Sequence, residues 1–168
     1  MNPAWCIATA RLALTPVAWG DLGELQALKA DPRAFAMMLG GVRTKAQAAR
    51  ELAEDIRFWG AHGYGIWTVR LRGDAGFVGI TGLAERPDGL GTALRFALWP
   101  GVRGSGLARE AARAALLFAH DKAGLERVVA VARADNFASR TVLGSIGMSQ
   151  CGEFRRQEVP MLIYESRR

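Results

Sequence analysis

One stretch near the middle of the chain limits the fold more than any other. An apolar run from Leu94 to Trp99 leads into Arg103-Gly-Ser-Gly-Leu-Ala108. That stretch opens a helical pattern reaching about Lys122, and Arg127-Val-Val-Ala-Val131 then reads as a buried strand. Strand, helix and strand in this order form a crossover unit, so the two strands should lie parallel. The segments before it cannot do the same. Gly65 to Leu71, Phe77 to Leu83 and Thr92 to Leu98 read as strands joined by Gly73-Asp74 and Arg86-Pro-Asp-Gly89. Connections that short allow only an antiparallel meander.

The remaining segments fill in around this unit. Arg11 to Leu14 predicts an opening strand, and Ser149 to Phe154 and Val159 to Tyr164 predict two closing ones. Asp21 and Thr44 are placed to cap two helices. The second carries Ala49, Leu52, Ala53, Ile56 and Trp59 on one face. Asn136 to Ile146 predicts a last helix, stopped by Gly147. The reading is one α+β domain over residues 1–168, a mixed and largely antiparallel sheet flanked by helices.

The Gly-rich stretch also carries chemistry. Gly104, Ser105, Gly106, Leu107 and Ala108 leave the backbone bare where a strand enters a helix N-terminus. Unpaired N–H groups and the positive end of the helix dipole make that place an anion site, and Arg103 can add a fixed charge to a bound phosphate. A dinucleotide fingerprint fails because Arg109 takes the third glycine position and Ala132-Arg133 follows the next strand in place of an acid. A triphosphate-binding loop fails because no Gly-Lys-Ser/Thr follows.

Composition narrows the classes. The 168 residues carry a net charge of +6, but the arginines are scattered and no basic run interleaved with aromatics occurs. This disfavours nucleic acid as a partner. No window reaches the ~18 apolar residues of a membrane span, and the first residues lack a signal-peptide pattern. Cys6 and Cys151 have neither metal nor redox spacing. The expectation is a cytoplasmic protein with reduced thiols, no metal and no membrane partner, as a monomer or homodimer.

The residues resemble the GCN5-related N-acetyltransferases (GNAT), in the branch of the ribosomal-protein N-terminal acetyltransferases. Arg103-x-x-Gly106-x-Ala108 is similar to that family's pyrophosphate loop. Asn136-x-x-Ser139 with Val142-Leu143 and Gly147-Met148 is similar to its next motif. His62-Gly-Tyr-Gly-Ile-Trp67, Gly79-Ile-Thr-Gly-Leu83 and Arg11-Leu-Ala-Leu-Thr-Pro16 look like its earlier strands. The resemblance covers nearly the whole chain and implies a three-layer sandwich with acetyl-CoA as co-substrate. It further implies that backbone groups of Phe96, Ala97 and Leu98 hold the pantetheine arm in a gap between splayed strands, with Asn136 opposite.

The catalytic groups depart from the family's habit. Relatives often carry a glutamate base where Ala93 stands here and a tyrosine acid where Leu143 stands. Ser139 is the best remaining proton donor, although a hydrogen bond to CoA or to its own helix turn would equally explain it. Glu85, Glu153 and Glu158 are candidate bases. His62 reads as structural or exposed, and His120 as a cap or a surface residue. Phe35 and Met37-Met38 could line an acceptor pocket. The resemblance implies N-acetyl transfer to a primary amine by direct attack on the thioester. The acceptor could be a protein N-terminus or a small amine. The alternative is a non-catalytic acyl-CoA-binding sensor.

Overall fold

The computed structural model describes residues 2–168. Eight strands form one sheet in the order β1-β2-β3-β4-β5-β6-β8-β7. The first five are β1 (Ile7–Ala8), β2 (Leu12–Pro16), β3 (Ile66–Leu71), β4 (Phe77–Glu85) and β5 (Thr92–Leu98). The last three are β6 (Arg127–Arg133), β7 (Ser149–Arg156) and β8 (Val159–Arg167). Five helices flank the sheet: α1 (Leu22–Ala30), α2 (Pro32–Phe35), α3 (Lys45–His62), α4 (Leu107–Asp121) and α5 (Phe137–Ser145). This is the expected mixed α+β arrangement. Every strand pair is antiparallel except β5 with β6, the pair joined by the α4 crossover.

That parallel pair is incomplete. β4 and β5 stay in register from Gly79↔Leu98 to Glu85↔Thr92, whereas β5 and β6 share one register point, Ala93↔Val129. Beyond it the strands part, leaving a slot between the ends of β5 and β6. Glycines let β4 sit tightly beside its neighbours. A Cβ on Gly79 would lie 2.3 Å from the Ala97 carbonyl oxygen, and one on Gly82 would lie 2.4 Å from that of Gly65.

The core draws on all these elements. Trp67, fully buried, meets Trp59 edge-on with ring centroids 4.9 Å apart and Phe118 at 5.1 Å. Both indole N–H groups are satisfied: Trp59 Nε1 donates to the Ile66 carbonyl and Trp67 Nε1 to that of Trp5. α3 starts as expected, with Thr44 Oγ1 accepting from Gln47 N and Gln47 Oε1 from Thr44 N. Of the predicted stripe Leu52 and Trp59 are buried, and Ala48 is buried in place of Ala49. Asp21 does not cap α1; its carboxylate accepts from Ala18 N in the preceding turn. His120 is buried rather than exposed, with Nδ1 at the Leu125 carbonyl and Nε2 at Ser166 Oγ.

Candidate active site

The predicted anion loop ends β5 and begins α4. Gly104 and Gly106 both adopt positive φ, +78° and +79°, a turn that side-chain-bearing residues resist. The N–H groups of Gly104 through Ala108 find no acceptor among the described residues, and no side chain caps α4. The loop is braced from outside. Arg11 Nη1 donates to the Ser105 carbonyl at 2.8 Å, and Ser105 Oγ donates to that of Val102. Glu110, in the first turn of α4, accepts from Thr9 Oγ1, Arg11 N and Arg11 Nε. Arg103 reaches back through Nη2 to the Arg33 carbonyl of α2, and its other N–H groups have no acceptor among the described residues.

Next to the loop lies the slot. Phe96, Ala97 and Leu98 form its β5 wall and pair only with β4. Asn136 stands on the far side as the N-cap of α5, its Oδ1 accepting from Ser139 N at 3.2 Å. That bond fixes the amide and leaves the Nδ2 donors without an acceptor among the described residues. The Ser139 side chain makes no hydrogen bond among the described residues, and Leu143 is buried beside it.

A cavity of about 350 Å³ connects this slot to the helices above. Phe96, Ala130, Val131, Ala132, Asn136 and Ser139 line one end of it. Phe35, Met37 and Met38, the residues expected near an acceptor, line the same cavity, as does Phe58. Glu85 is also at the wall, bonded by Thr92 Oγ1 at 3.0 Å. Glu153 and Glu158 are elsewhere: Glu153 is exposed on β7, and Glu158 pairs with Arg155 at the β7–β8 turn.

The structure adds two groups that sequence reasoning missed, Asp55 and Arg95. Asp55 projects from α3 into the cavity, and its carboxylate has no hydrogen bond or ion pair among the described residues. Burial pushes its pKa up to about 6, helped by Glu51 and Glu54 and opposed by the cations Lys29 and Arg95. Glu51 behaves differently. Burial works to raise its pKa, but hydrogen bonds from Lys29 and Arg43 outweigh that and hold it low. Arg95 projects from the middle of β5 into the same cavity. Surrounding protein lowers its pKa, opposed by Asp55 and Glu51. A signal for Asp55 was present, since Leu52, Asp55, Ile56 and Trp59 share the i, i+3, i+4, i+7 spacing of a buried stripe.

The slot beside the bare helix N-terminus thus opens on a cavity lined by the half-buried carboxylate of Asp55, unpaired among the described residues. Residues 11–149 match the family described as "Acetyltransferase (GNAT) domain". This chain belongs to the GNAT acetyltransferases. Solved structures of the fold agree. An acetyltransferase from Agrobacterium tumefaciens is 25% identical, with a TM-score of 0.85 over 97% of this chain and 94% of its own. RimL, a ribosomal L7/L12 α-N-protein acetyltransferase in complex with coenzyme A, is 16% identical; its TM-score is 0.80 over 96% and 97% of the two chains. A spermidine N-acetyltransferase from Vibrio cholerae, in complex with CoA and spermine, is 12% identical; its TM-score is 0.79 over 95% and 96%. The last two are likenesses of fold. This GNAT protein is an N-acetyltransferase, and no helix among its described residues is long and apolar enough to cross a membrane.

Proposed function

We propose that the chain, acting as one domain over residues 1–168, transfers the acetyl group of acetyl-CoA to a primary amine on a protein N-terminus or a small molecule. The observation that carries this reading is the single cavity that joins the β5–β6 slot to Asp55. Acetyl-CoA supplies an activated acyl thioester, and the rest falls to the chain's own residues. The free N–H groups of Gly104 through Ala108, with Arg103, suit a pyrophosphate. Backbone groups of Phe96, Ala97 and Leu98 offer a strand edge to a peptide-like arm, and Asn136 Nδ2 faces it from α5.

Asp55 takes the place of the missing glutamate. With a pKa raised to about 6 it is ionised at neutral pH yet basic enough to draw a proton from the bound ammonium, freeing the neutral amine that attacks. The nitrogen–carbon bond then forms as the carbon–sulfur bond breaks, and the electron pair leaves on sulfur. The proton that the acylated nitrogen sheds goes to that thiolate, relayed through the Ser139 hydroxyl, which gives one proton and takes one back. The fold neighbours differ in acceptor, one named for a ribosomal protein and one for spermidine, so the fold itself does not choose.

Calorimetric titration with acetyl-CoA, using NADH and ATP as controls, tests the site, and thiol release with added amines tests the chemistry. Selective binding near micromolar, on the order of −8 kcal/mol, followed by amine-dependent thiol release is the expected outcome. Binding without release under any amine would make the domain an acyl-CoA sensor instead.

A further inference from the structure

We propose that the acceptor is a small amino-acid-type molecule, with a carboxylate a few bonds from the amine that is acetylated, and that Arg95 is the residue that selects it. The inference rests on the reading of Asp55 as the group facing the amine.

Four cationic side chains border the cavity: Lys29, Arg43, Arg86 and Arg95. Three are already committed. Lys29 Nζ lies 2.7 Å from Glu51 Oε2, Arg43 pairs with the other Glu51 oxygen, and Arg86 pairs with Asp88. Arg95 has no such partner among the described residues. Beyond the strand ladder its one hydrogen bond is through its carbonyl oxygen, which accepts from Thr81 Oγ1 at 3.2 Å. Arg95 is an exposed residue on the lining of the cavity, so its guanidinium keeps its donors for an entering ligand, and its planar fork matches a carboxylate.

The surroundings of Arg95 leave room for that partner. Ala93 and Ala97 share its face of β5, and Gly82, directly across on β4, has no side chain. Arg95 is also far from the phosphate seat. Three residues of strand separate it from Leu98, about 10 Å, and the glycine loop begins beyond that. An arginine so placed is poorly located for the pyrophosphate and well located for the acceptor.

Asp55 supplies the opposite charge. A zwitterion can lay its ammonium toward Asp55 and its carboxylate toward Arg95, satisfying both unpaired groups together. A polyamine would meet the guanidinium of Arg95 with like charge. The cavity of about 350 Å³ suits an acceptor the size of a free amino acid.

The test uses the full chain and two readouts. Thermal shift records binding of glycine, β-alanine and 4-aminobutyrate against glycinamide, propylamine, spermidine and a peptide with an acidic N-terminus. Thiol release with acetyl-CoA records turnover on the same set. An amino acid should raise the melting temperature and exceed its uncharged counterpart in kcat/KM by about tenfold or more. In Arg95→Gln that preference should vanish through KM for the acid, with KM for acetyl-CoA unchanged, and loss of the cation near Asp55 should move the acid limb for propylamine to higher pH. Arg95→Lys, which keeps the charge and loses the fork, should fall between. Equal use of acids and amides, a preference for spermidine, or acetylation of the peptide alone would overturn the inference. So would an Arg95→Gln preference equal to wild type. Arg95-dependent binding of an amino acid without turnover would uphold the role of Arg95 and overturn the acetyl-transfer reading instead.

Discussion

Asp55 occupies a place on α3 where an apolar side chain would complete the stripe of Leu52, Ile56 and Trp59, and the protein bears a stability cost for it. The folded chain holds the Asp55 proton up to about pH 6, whereas the ordinary carboxylate releases it near 3.8. Between those values the native state binds the extra proton. Stability is therefore greatest below the lower value, declines as pH rises to about 6 and stays reduced above it. Asp55→Asn should raise the unfolding free energy by roughly 2 kcal/mol at neutral pH and change it little near pH 4, measured by urea melts at both. The same variant should lose activity on the order of a hundredfold with KM for acetyl-CoA unchanged. It should also lose the acid limb of kcat/KM near pH 6, the limb that in the wild type follows deprotonation of Asp55 among Lys29, Arg95, Glu51 and Glu54. If activity survives with that limb in place, the base lies elsewhere. Ser139→Ala should lower kcat more than the affinity for acetyl-CoA; equal losses in both would leave Ser139 as a binding group only. The two missed residues show what a sequence hides. Asp55 lies on a helix face whose neighbours fit the core, so only its depth makes it unusual. Arg95 reads as one of many scattered arginines until its lack of a partner is visible.

The elements themselves were more legible, because period and punctuation are local. β5 spans the expected Thr92–Leu98, and α4 begins where the glycine loop places it. β1 was missed: two residues, Ile7–Ala8, are too few to show any alternation, and only pairing with β2 makes them a strand. His120 was misplaced for a related reason. Its burial depends on Ser166 of β8, which is distant in sequence and adjacent only in the folded sheet. The start of α4 carries its own prediction. Gly106→Val puts a β-branched residue at φ +79° and a side chain over the free N–H groups. Loss of acetyl-CoA binding in a folded protein is the expected result by calorimetry, and unchanged affinity would remove the loop from the site. Glu110→Ala should act from behind the loop. The three donors from Thr9 and Arg11 lose their acceptor, at a cost of about 2 kcal/mol, and the tie between α4 and the first strands goes with it. Denaturant melts would show that loss, and an unaltered midpoint would mean the tie is ornamental.

Across the whole molecule the sheet is two parts joined at a narrow seam. β1 through β5 form one ladder and β6, β8 and β7 another, and between them only Ala93↔Val129 is in register, with α4 packed across. A ligand arm seated in the slot would bridge both ladders. Coenzyme A at a hundred times its Kd should raise the unfolding free energy by about 2.7 kcal/mol. It should also slow hydrogen exchange at Phe96–Leu98 and Val131–Arg133 together. Protection confined to one side would show that the arm does not span the seam. The slot has one more consequence, for how such proteins diverge. Its walls present main-chain atoms, which every amino acid supplies alike, so the seat for the arm places little demand on side-chain identity along β5 and β6. Substitutions there are free to drift while the seat persists. On such a strand a side chain such as that of Arg95 can change without disturbing the main-chain atoms beside it. New acceptor preferences can arise on this scaffold one side chain at a time.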